Sequence, residues 1–244
     1  MANPRLLTGV HLMQGQQACA EGALAAGCNL FAGYPISPAT EIAEAMARRM
    51  PQAGGIYLQG ADELDSLTIV IGSVWGGYKS MTATSGNGIC LMQENIGYAA
   101  MTETPCVIVD MMRAGPGTGI ATKSAQGDIY QVRYGSNGDY SVIALAPESP
   151  QEMFNLTVEA FNLSEQYRNP VFVLGDEILS NLRERVVIPS EVKLTPRRKA
   201  AAPTDDYKTW AVPAGQDVPP LPAFGQGYKL AVSSFARTAE GSPS

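Results

Sequence analysis

The chain has 244 residues, of which 45% are apolar and 16% are charged. This length and apolar content suit one large globular domain or two small ones, and they exclude a disordered chain, a collagen and a small disulfide-stabilised scaffold. The 17 basic and 23 acidic side chains give a net charge of −6, which argues against a nucleic-acid-binding surface.

Short apolar runs alternate with longer helical segments along the chain. Most of the runs are continuous, as is typical of strands that are buried on both faces. Strands are predicted at 30–33, 56–58, 80–85, 106–111, 142–146 and 171–175. Helices are predicted at about 14–27, 38–50, 62–77, 89–102, 122–132 and 150–167. This alternation predicts an α/β fold with a doubly wound parallel sheet.

Charge and proline content change near residue 180. Residues 1–180 carry 8 basic and 17 acidic groups, whereas 181–244 carry 9 and 6 and hold eight of the 17 prolines. We therefore expect a folded domain at 1–180 and a Pro-rich extended connector or arm at 181–244. The sequence shows no signal-peptide run and no stretch of about 18 apolar residues, so we expect a cytoplasmic protein without a membrane partner.

Ligands of doubly wound sheets gather at the carboxyl ends of the strands, so the turns that follow strands are candidate sites. In the first such turn, Ser37 and Pro38 are expected to cap the next helix. The turn at 84–88 is either a tight strand-to-helix connection or an anion cradle. Arg113 stands beside the glycine-rich segment 114–119 and is either a surface arginine or a ligand for a carboxylate.

Glu63 is the most informative single residue. On a helix at 62–77 it shares one stripe with Leu67, Val70 and Val74, so its side chain is expected to point inward. A helix-terminal charge is the ordinary explanation of an acid at this position. The functional alternative is a carboxyl group held in an apolar pocket to share a proton with a ligand.

Metal chemistry has little support within this chain. Its four cysteines form no CxxC pair, and the single histidine adds only one further ligand. We therefore expect no metal or iron–sulfur site to be assembled from cysteine and histidine here.

Four segments in this order resemble the α subunit of 2-oxoacid:ferredoxin oxidoreductases, most closely the 2-oxoglutarate type. The resemblance covers about residues 9–180 and implies a pyrimidine-binding domain for thiamine diphosphate. It further implies a β subunit that carries the Mg²⁺–diphosphate site, iron–sulfur clusters on partner chains, a ferredoxin-type acceptor and coenzyme A as co-substrate. The segments are 22–28 (GALAAGC), 32–41 (AGYPISPATE), 82–86 (TATSG) and 113–119 (RAGPGTG) with Thr122 and Lys123.

The resemblance also implies roles for particular residues. Glu63 matches the glutamate that hydrogen-bonds the aminopyrimidine and favours the imino tautomer, which removes the thiazolium proton. Arg113 would bind the carboxylate of the 2-oxoacid. Ser37, where the family usually has threonine, would bind substrate or coenzyme A, and Lys123 would read a distal carboxylate. The cofactor would contact Tyr34, Pro35, Ile36, Ser85 and Gly86 as well as Glu63.

The activity of the chain and the place of a second domain stay open at this point. As the α-type subunit of a multi-subunit complex, the chain would take part in the oxidative decarboxylation of a 2-oxoacid, with 2-oxoglutarate as the expected substrate, to acyl-CoA with electrons passed to ferredoxin. A subunit that acts on branched-chain or aryl 2-oxoacids and a non-catalytic scaffold of the same fold are the alternatives. Subunits of this kind usually continue into a second α/β domain, so either the chain is a fragment or that domain is absent or separate.

Overall fold

The strands and helices alternate as the sequence predicts in a computed structural model that describes residues 6–204, 207–235 and 238. Within these residues the strands are β1 (Gly9–Gln14), β2 (Leu30–Gly33), β3 (Ile56–Gln59), β4 (Ser80–Thr84), β5 (Val107–Met112), β6 (Ile143–Leu145), β7 (Val171–Asp176) and β8 (Arg183–Ile188). The helices are α1 (Gly15–Ala25), α2 (Thr40–Ala53), α3 (Glu63–Trp75), α4 (Asn87–Met101), α5 (Asp128–Tyr134), α6 (Pro150–Tyr167) and α7 (Glu177–Asn181).

Six of these strands form one sheet in the order β3-β2-β4-β5-β7-β6, and every neighbouring pair is parallel. One face packs against α1, α2 and α6 through the cluster that contains Phe31 and Phe154. The other face packs against α3 and α4 through the cluster that contains Trp75 and Met92. The predicted α/β class and doubly wound parallel sheet are therefore confirmed.

A second, two-stranded sheet lies outside this order, and the sequence analysis did not predict it. Strands β1 and β8 pair antiparallel, with Gly9 opposite Ile188 and Gln14 opposite Arg183. The short helix α7 leads into β8, and its N-cap is Asp176, whose side chain accepts a hydrogen bond from the Leu179 amide. This pairing joins the beginning of the described chain to the residues that follow the main sheet.

Two local predictions were wrong. The helix expected at 122–132 begins only at Asp128, and the residues before it form turns and loop. The helix expected from residue 38 begins at Thr40 after Ala39, so Ser37 is not its N-cap. Glycine, proline and serine at 115–127 favour a loop over a helix there, which explains the first error.

Residues after β8 lie against the main domain. Trp210 and Leu221 pack into the cluster that contains Trp75, and the Phe224 amide donates to the Trp75 carbonyl at 2.8 Å. Arg168 Nη1 donates to the carbonyls of Pro219 and Pro220 at 3.1 and 3.2 Å. A domain boundary near residue 180 stays a prediction. No helix in the described ranges is both long enough and apolar enough to cross a bilayer.

Candidate active site

Three loops meet where the chain reverses its direction across the sheet. The chain passes from β2 to β3 on one side of β2 and continues with β4 on the other side. Parallel sheets bind ligands at the carboxyl ends of the strands that flank such a reversal. The first loop follows β2 and begins at Tyr34, and the second loop follows β4 and begins at Ser85. The glycine-rich loop follows β5 and begins at Arg113.

Glu63 enters this site from the first turn of α3. The N-cap Asp62 starts the helix by accepting a hydrogen bond from the Asp65 amide at 2.7 Å. Leu67, Val70 and Val74 are fully buried along the stripe that Glu63 begins. The Glu63 side chain is only 4% exposed, so the prediction that it points inward is confirmed.

The first turn of α4 packs directly against Glu63. A Cβ atom at Gly88 would overlap Thr84 Oγ1 and would lie 2.8 Å from both Cγ and Oε1 of Glu63. Only glycine allows this approach of the α4 backbone to the carboxyl group. The end of β4 and the start of α4 therefore form one wall of the Glu63 pocket.

The environment of Glu63 favours its uncharged form. Burial raises the pKa of the carboxyl group, and the nearby Asp62 carboxylate adds to this rise. Its own backbone N–H and the Arg113 guanidinium act in the opposite direction, but the net pKa shift is upward. A carboxyl group in this state can hold a proton and share it with a basic ring nitrogen.

Arg113 ties the three loops together. Its Nη1 donates to the Ser37 carbonyl at 2.6 Å, and its Nη2 donates to the Thr118 carbonyl at 2.6 Å and to Asn87 Oδ1 at 2.7 Å. The side chain is buried, which excludes the alternative of a surface arginine. Two of the five guanidinium N–H groups, the second one on Nη1 and that of Nε, take no part in these bonds, and Nε has no hydrogen-bond partner in the described residues.

Buried hydroxyl groups without partners lie on the β4 side of the site. Thr84 Oγ1 and Ser85 Oγ are inaccessible to solvent and have no hydrogen-bond partner among the described residues. Leaving a buried polar atom unpaired costs about 1–3 kcal/mol. These atoms, with Glu63 and Arg113 Nε, fit a polar heterocycle that would supply the missing partners.

The other predicted site residues are more exposed. Tyr34, Pro35 and Ser37 lie at the surface of the first loop, whereas Ile36 is partly buried against the core. The second-loop residues Ser85 and Gly86 are buried, and Gly86 adopts φ 47° directly before α4. The structure thus buries Ser85 and Gly86, whereas Tyr34 and Pro35 are exposed.

Lys123 is not brought into the buried cluster. Its side chain is exposed beyond the glycine-rich loop. Its backbone carbonyl accepts a hydrogen bond from the Ala114 amide at 2.8 Å and so closes the base of that loop. The structure therefore gives its backbone a contact with the site loops but does not place its ammonium group among them.

Sequence reasoning missed two buried acidic residues, Asp110 and Asp128. Asp110, near the end of β5, is fully buried, and its Oδ1 accepts a hydrogen bond from the Gly86 amide at 3.2 Å. Asp128, the first residue of α5, is also buried. The signal available for Asp110 was a charged residue inside the continuous apolar run at 106–112.

The chain matches one protein family over most of its length. Residues 21–240 match the family described as "Pyruvate flavodoxin/ferredoxin oxidoreductase, thiamine diP-bdg", the thiamine diphosphate-binding part of these enzymes. This range includes every residue assigned to the site above.

Curated relatives and a solved structure agree with that match. The 2-oxoglutarate synthase subunit KorA of Methanocaldococcus jannaschii is 53% identical over 96% of this chain and 63% of the relative. The ketoisovalerate oxidoreductase subunit VorB of Methanothermobacter thermautotrophicus is 45% identical over 74% of this chain and 51% of the relative. The structure of 2-oxoglutarate:ferredoxin oxidoreductase from Magnetococcus marinus with 2-oxoglutarate, coenzyme A and succinyl-CoA bound superposes with a TM-score of 0.90 at 35% identity. The superposition covers 97% of this chain and 42% of the chain in the Magnetococcus marinus structure.

Proposed function

Because the chain belongs to the family of thiamine diphosphate-binding domains of pyruvate flavodoxin/ferredoxin oxidoreductases, we propose that it is an α-type subunit of a 2-oxoacid:ferredoxin oxidoreductase. The reaction is the oxidative decarboxylation of 2-oxoglutarate to succinyl-CoA, with electrons passed to ferredoxin. The observation that carries this proposal is the buried Glu63 carboxyl group at the reversal point of the sheet. The chain spans about 63% of the length of the first curated relative.

Glu63 is the catalytic residue in this proposal. Thiamine diphosphate, when bound, would supply an acidic thiazolium carbon that is nucleophilic toward a keto group in its deprotonated form. Glu63 holds a proton against a ring nitrogen of the aminopyrimidine and so favours the tautomer that removes the thiazolium proton. A site with a low dielectric constant strengthens this hydrogen bond, and burial shifts the pKa of the Glu63 carboxyl group upward, toward retention of the proton.

The cofactor ring would lie between the first and second loops. Tyr34, Pro35 and Ile36 would contact the ring from the first loop, and the buried residues Ser85 and Gly86 would contact it from the second loop. Ser85 Oγ, which has no partner in the described residues, is the group that would gain a hydrogen bond. Displacement of water from this pocket would strengthen the contact between Glu63 and the ring.

Substrate recognition would use residues of the first loop and of the glycine-rich loop. Arg113 Nε, which has no hydrogen-bond partner in the described residues, would donate its N–H to the carboxylate of a 2-oxoacid. Ser37 has an exposed hydroxyl that can donate to substrate or coenzyme A. Lys123 would bind the distal carboxylate of the substrate only if its exposed side chain turned toward the loops when substrate binds.

Partner chains complete the site in this proposal. Large apolar side chains are exposed near the loops, among them Leu64, Leu91 and Ile120. Such residues are typical of surfaces that another polypeptide covers. We propose that a β subunit covers them and brings the Mg²⁺–diphosphate site, and that iron–sulfur clusters reside on partner chains. The cytoplasm is the proposed location.

Ferredoxin is proposed to dock on a partner and not on this chain. Residues 1–180 carry 17 acidic and 8 basic groups. Electron carriers of this type are acidic, and like charges slow the encounter between two proteins. The acceptor would therefore approach the assembly through another subunit.

A branched-chain 2-oxoacid is the second candidate substrate. Its support is the 45% identity to a ketoisovalerate oxidoreductase subunit. The larger identity to a 2-oxoglutarate synthase subunit, 53%, favours a substrate with a second carboxylate. An aryl 2-oxoacid has no comparable support among the relatives described above.

The test is reconstitution of the chain with its β partner, thiamine diphosphate, Mg²⁺, coenzyme A and ferredoxin. Acyl-CoA formation is measured with 2-oxoglutarate, 2-oxoisovalerate and an aryl 2-oxoacid. We expect the chain alone to be inactive and the complex to prefer 2-oxoglutarate. A preference for 2-oxoisovalerate would support the second candidate, and a complex that binds no thiamine diphosphate and forms no acyl-CoA would indicate a scaffold.

A further inference from the structure

Helix α4 begins at a turn that has no side-chain cap. Its N-cap residue is Gly86, which has φ 47° and ψ −105°, a backbone conformation that residues with a side chain rarely adopt. The turn is closed by the Gly88 amide, which donates to the Ser85 carbonyl at 2.8 Å. This hydrogen bond lies within the turn, so it does not fix where the turn sits on the sheet. Contacts from outside the turn decide where α4 begins.

Asp110, on β5, provides a contact of this kind. Ile108 and Met112, two residues to either side, pack on the face of the sheet that carries α3 and α4, so the Asp110 side chain points to the same face. The carboxyl group is 0% exposed. Its Oδ1 accepts the Gly86 N–H at 3.2 Å. A hydrogen bond from the neighbouring strand thus holds the N-cap residue of α4 to the sheet.

Arg113 holds the same turn at two further points. A Cβ atom on Gly86 would lie 3.3 Å from Arg113 Cγ, so the arginine side chain packs closely over the Gly86 α-carbon. Its Nη2 donates to Asn87 Oδ1 at 2.7 Å. Asp110 and Arg113 are three residues apart in the chain, where β5 ends. The end of this strand therefore contacts the start of α4 through the amide of Gly86, its α-carbon and the Asn87 side chain.

The turn that is held in this way carries the wall of the Glu63 pocket. Gly88 follows Gly86 by two residues, and a Cβ atom there would lie 2.8 Å from both Cγ and Oε1 of Glu63. The backbone of α4 thus has no free space on this side, and its distance to the carboxyl group depends on where the helix begins. A displacement at Gly86 is passed to Gly88, because both belong to one hydrogen-bonded turn.

We propose that Asp110 is a positioning residue, which fixes the start of α4 through the Gly86 amide and so sets the approach of the Gly88 backbone to Glu63. Asp110 acts on Glu63 through the turn and not by contact with cofactor or substrate. The hydrogen bond itself is independent of the proposed function. Its consequence for thiamine diphosphate rests on the proposed function, because Glu63 is there the residue that binds the aminopyrimidine.

The hydrogen bond requires an oxygen atom in the side chain at position 110. Without that oxygen the buried Gly86 N–H is left without an acceptor, which is costly for a backbone donor. Asparagine retains an oxygen acceptor, whereas leucine has a similar size and offers none. Burial raises the pKa of Asp110 well above its ordinary value, which favours the uncharged acid that asparagine resembles. The comparison of asparagine with leucine therefore separates the hydrogen bond from packing and from charge.

The hydrogen bond is tested by the rate of hydrogen–deuterium exchange of the Gly86 amide, which is read by mass spectrometry with electron-transfer fragmentation. The chain is studied in the assembly in which it is isolated, without added thiamine diphosphate. We expect the amide to be protected in the parent and in Asp110→Asn. In Asp110→Leu it should exchange about tenfold faster, the equivalent of one lost hydrogen bond. Ile108→Val, a packing change on the same strand and face, should leave the Gly86 rate unchanged.

Any of three exchange results would overturn the proposal. The first is exchange of the Gly86 amide in the parent at the rate of an amide without a hydrogen bond. The second is a Gly86 rate that does not differ between Asp110→Leu and Asp110→Asn. The third is an increase in Ile108→Val as large as that in Asp110→Leu, which would assign the effect to packing. If Asp110→Leu does not fold, Asp110→Ala takes its place in each comparison.

The consequence for the cofactor site is tested by calorimetric titration of the assembled complex with thiamine diphosphate in the presence of Mg²⁺. We expect Asp110→Leu to bind thiamine diphosphate about tenfold more weakly than the parent, and Asp110→Asn and Ile108→Val to bind it nearly as tightly as the parent. Equal affinity of Asp110→Leu and the parent would overturn the link between Asp110 and Glu63. A parent complex that binds no thiamine diphosphate would refute the proposed function, whereas the exchange rates would still decide whether Asp110 holds the start of α4.

Discussion

Glu63 is a carboxyl group that the fold buries at a cost. Its folded-state pKa is raised above the ordinary value of about 4.3. A raised pKa means that the folded state binds the proton more tightly, so the contribution to stability is complete below pH 4.3 or so and is lost as the pH rises through the folded-state pKa. At neutral pH the carboxyl group therefore destabilises the chain.

The variant Glu63→Gln should accordingly be more stable than the parent at neutral pH. Glutamine has the same shape and no charge, so it avoids the cost of ionising a buried acid. The free energy of unfolding is measured by denaturant titration at about pH 4 and about pH 8. We expect the advantage of the variant to appear only at the higher pH. Glu94→Gln, an exposed site on α4, should show no such difference, and equal pH dependence of parent and Glu63→Gln would contradict this interpretation.

The variant Gly88→Ala tests the wall of the Glu63 pocket. The added Cβ overlaps Thr84 Oγ1 and crowds Glu63, so we expect a loss of about 1–3 kcal/mol in the free energy of unfolding and a displaced carboxyl group. Gly72→Ala is the matched control, because a Cβ at Gly72 on α3 meets nothing within 4 Å. That control should gain up to about 1 kcal/mol from helix propensity. Similar stability of both variants would show that the wall is not closely packed.

Among the elements, the loops after β2, β4 and β5 act as one unit because Arg113 joins them. The hydrogen bonds to Ser37, Asn87 and Thr118 need a planar guanidinium with several donors. The side chain therefore fixes the relative positions of the first loop, the start of α4 and the glycine-rich loop. Any substrate contact through Nε depends on these three bonds.

The variant Arg113→Lys should loosen this unit although it retains the positive charge. A lysine ammonium cannot reach all three acceptors, so we expect a loss of about 1.5–3 kcal/mol in stability. Backbone amides at 114–119 should exchange with deuterium faster than in the parent. Arg133→Lys, an exposed change on α5, serves as the control. Unchanged exchange in Arg113→Lys would contradict the role of Arg113 as the link between the loops.

The elements of the main sheet could be predicted because their signals are local. Continuous apolar runs predict the six parallel strands, and the apolar stripe of α3 predicts the inward direction of Glu63, which is buried in the structure. The pairing of β1 with β8 could not be read in this way, because it joins residues more than 160 positions apart. The hydrogen bond from the Gly86 amide to the buried Asp110 likewise depends on tertiary packing.

At the scale of the whole molecule, the residues after β8 add to the core of the main domain. Arg168 lies over the rings of Trp75 and Trp210, with 5.6 and 5.3 Å between its guanidinium carbon and the ring centroids. Trp75 and Trp210 are themselves in contact at 5.3 Å between centroids. The later segment thus covers the face of the sheet that carries α3, the helix of Glu63.

The variant Trp210→Ala should show how much this packing stabilises the chain. Trp210 is 8% exposed, and the loss of a buried tryptophan costs about 3–5 kcal/mol. Phe235→Ala is the control at a 67% exposed aromatic residue and should change stability by no more than about 0.5 kcal/mol. Denaturant unfolding measures both. A Trp210→Ala effect as small as that of the control would mean that the segment adds little to the stability of the domain.

The proposed activity depends most directly on proton transfer controlled by Glu63. The decisive measurement is the rate at which the thiazolium C2 proton of bound thiamine diphosphate exchanges for deuterium in the assembled complex, without 2-oxoacid. We predict that Glu63→Gln slows this exchange by about 10²–10⁴-fold, the usual contribution of a positioned acid or base, while Glu94→Gln does not. Exchange as fast in Glu63→Gln as in the parent complex would contradict the assignment of Glu63 as the catalytic residue.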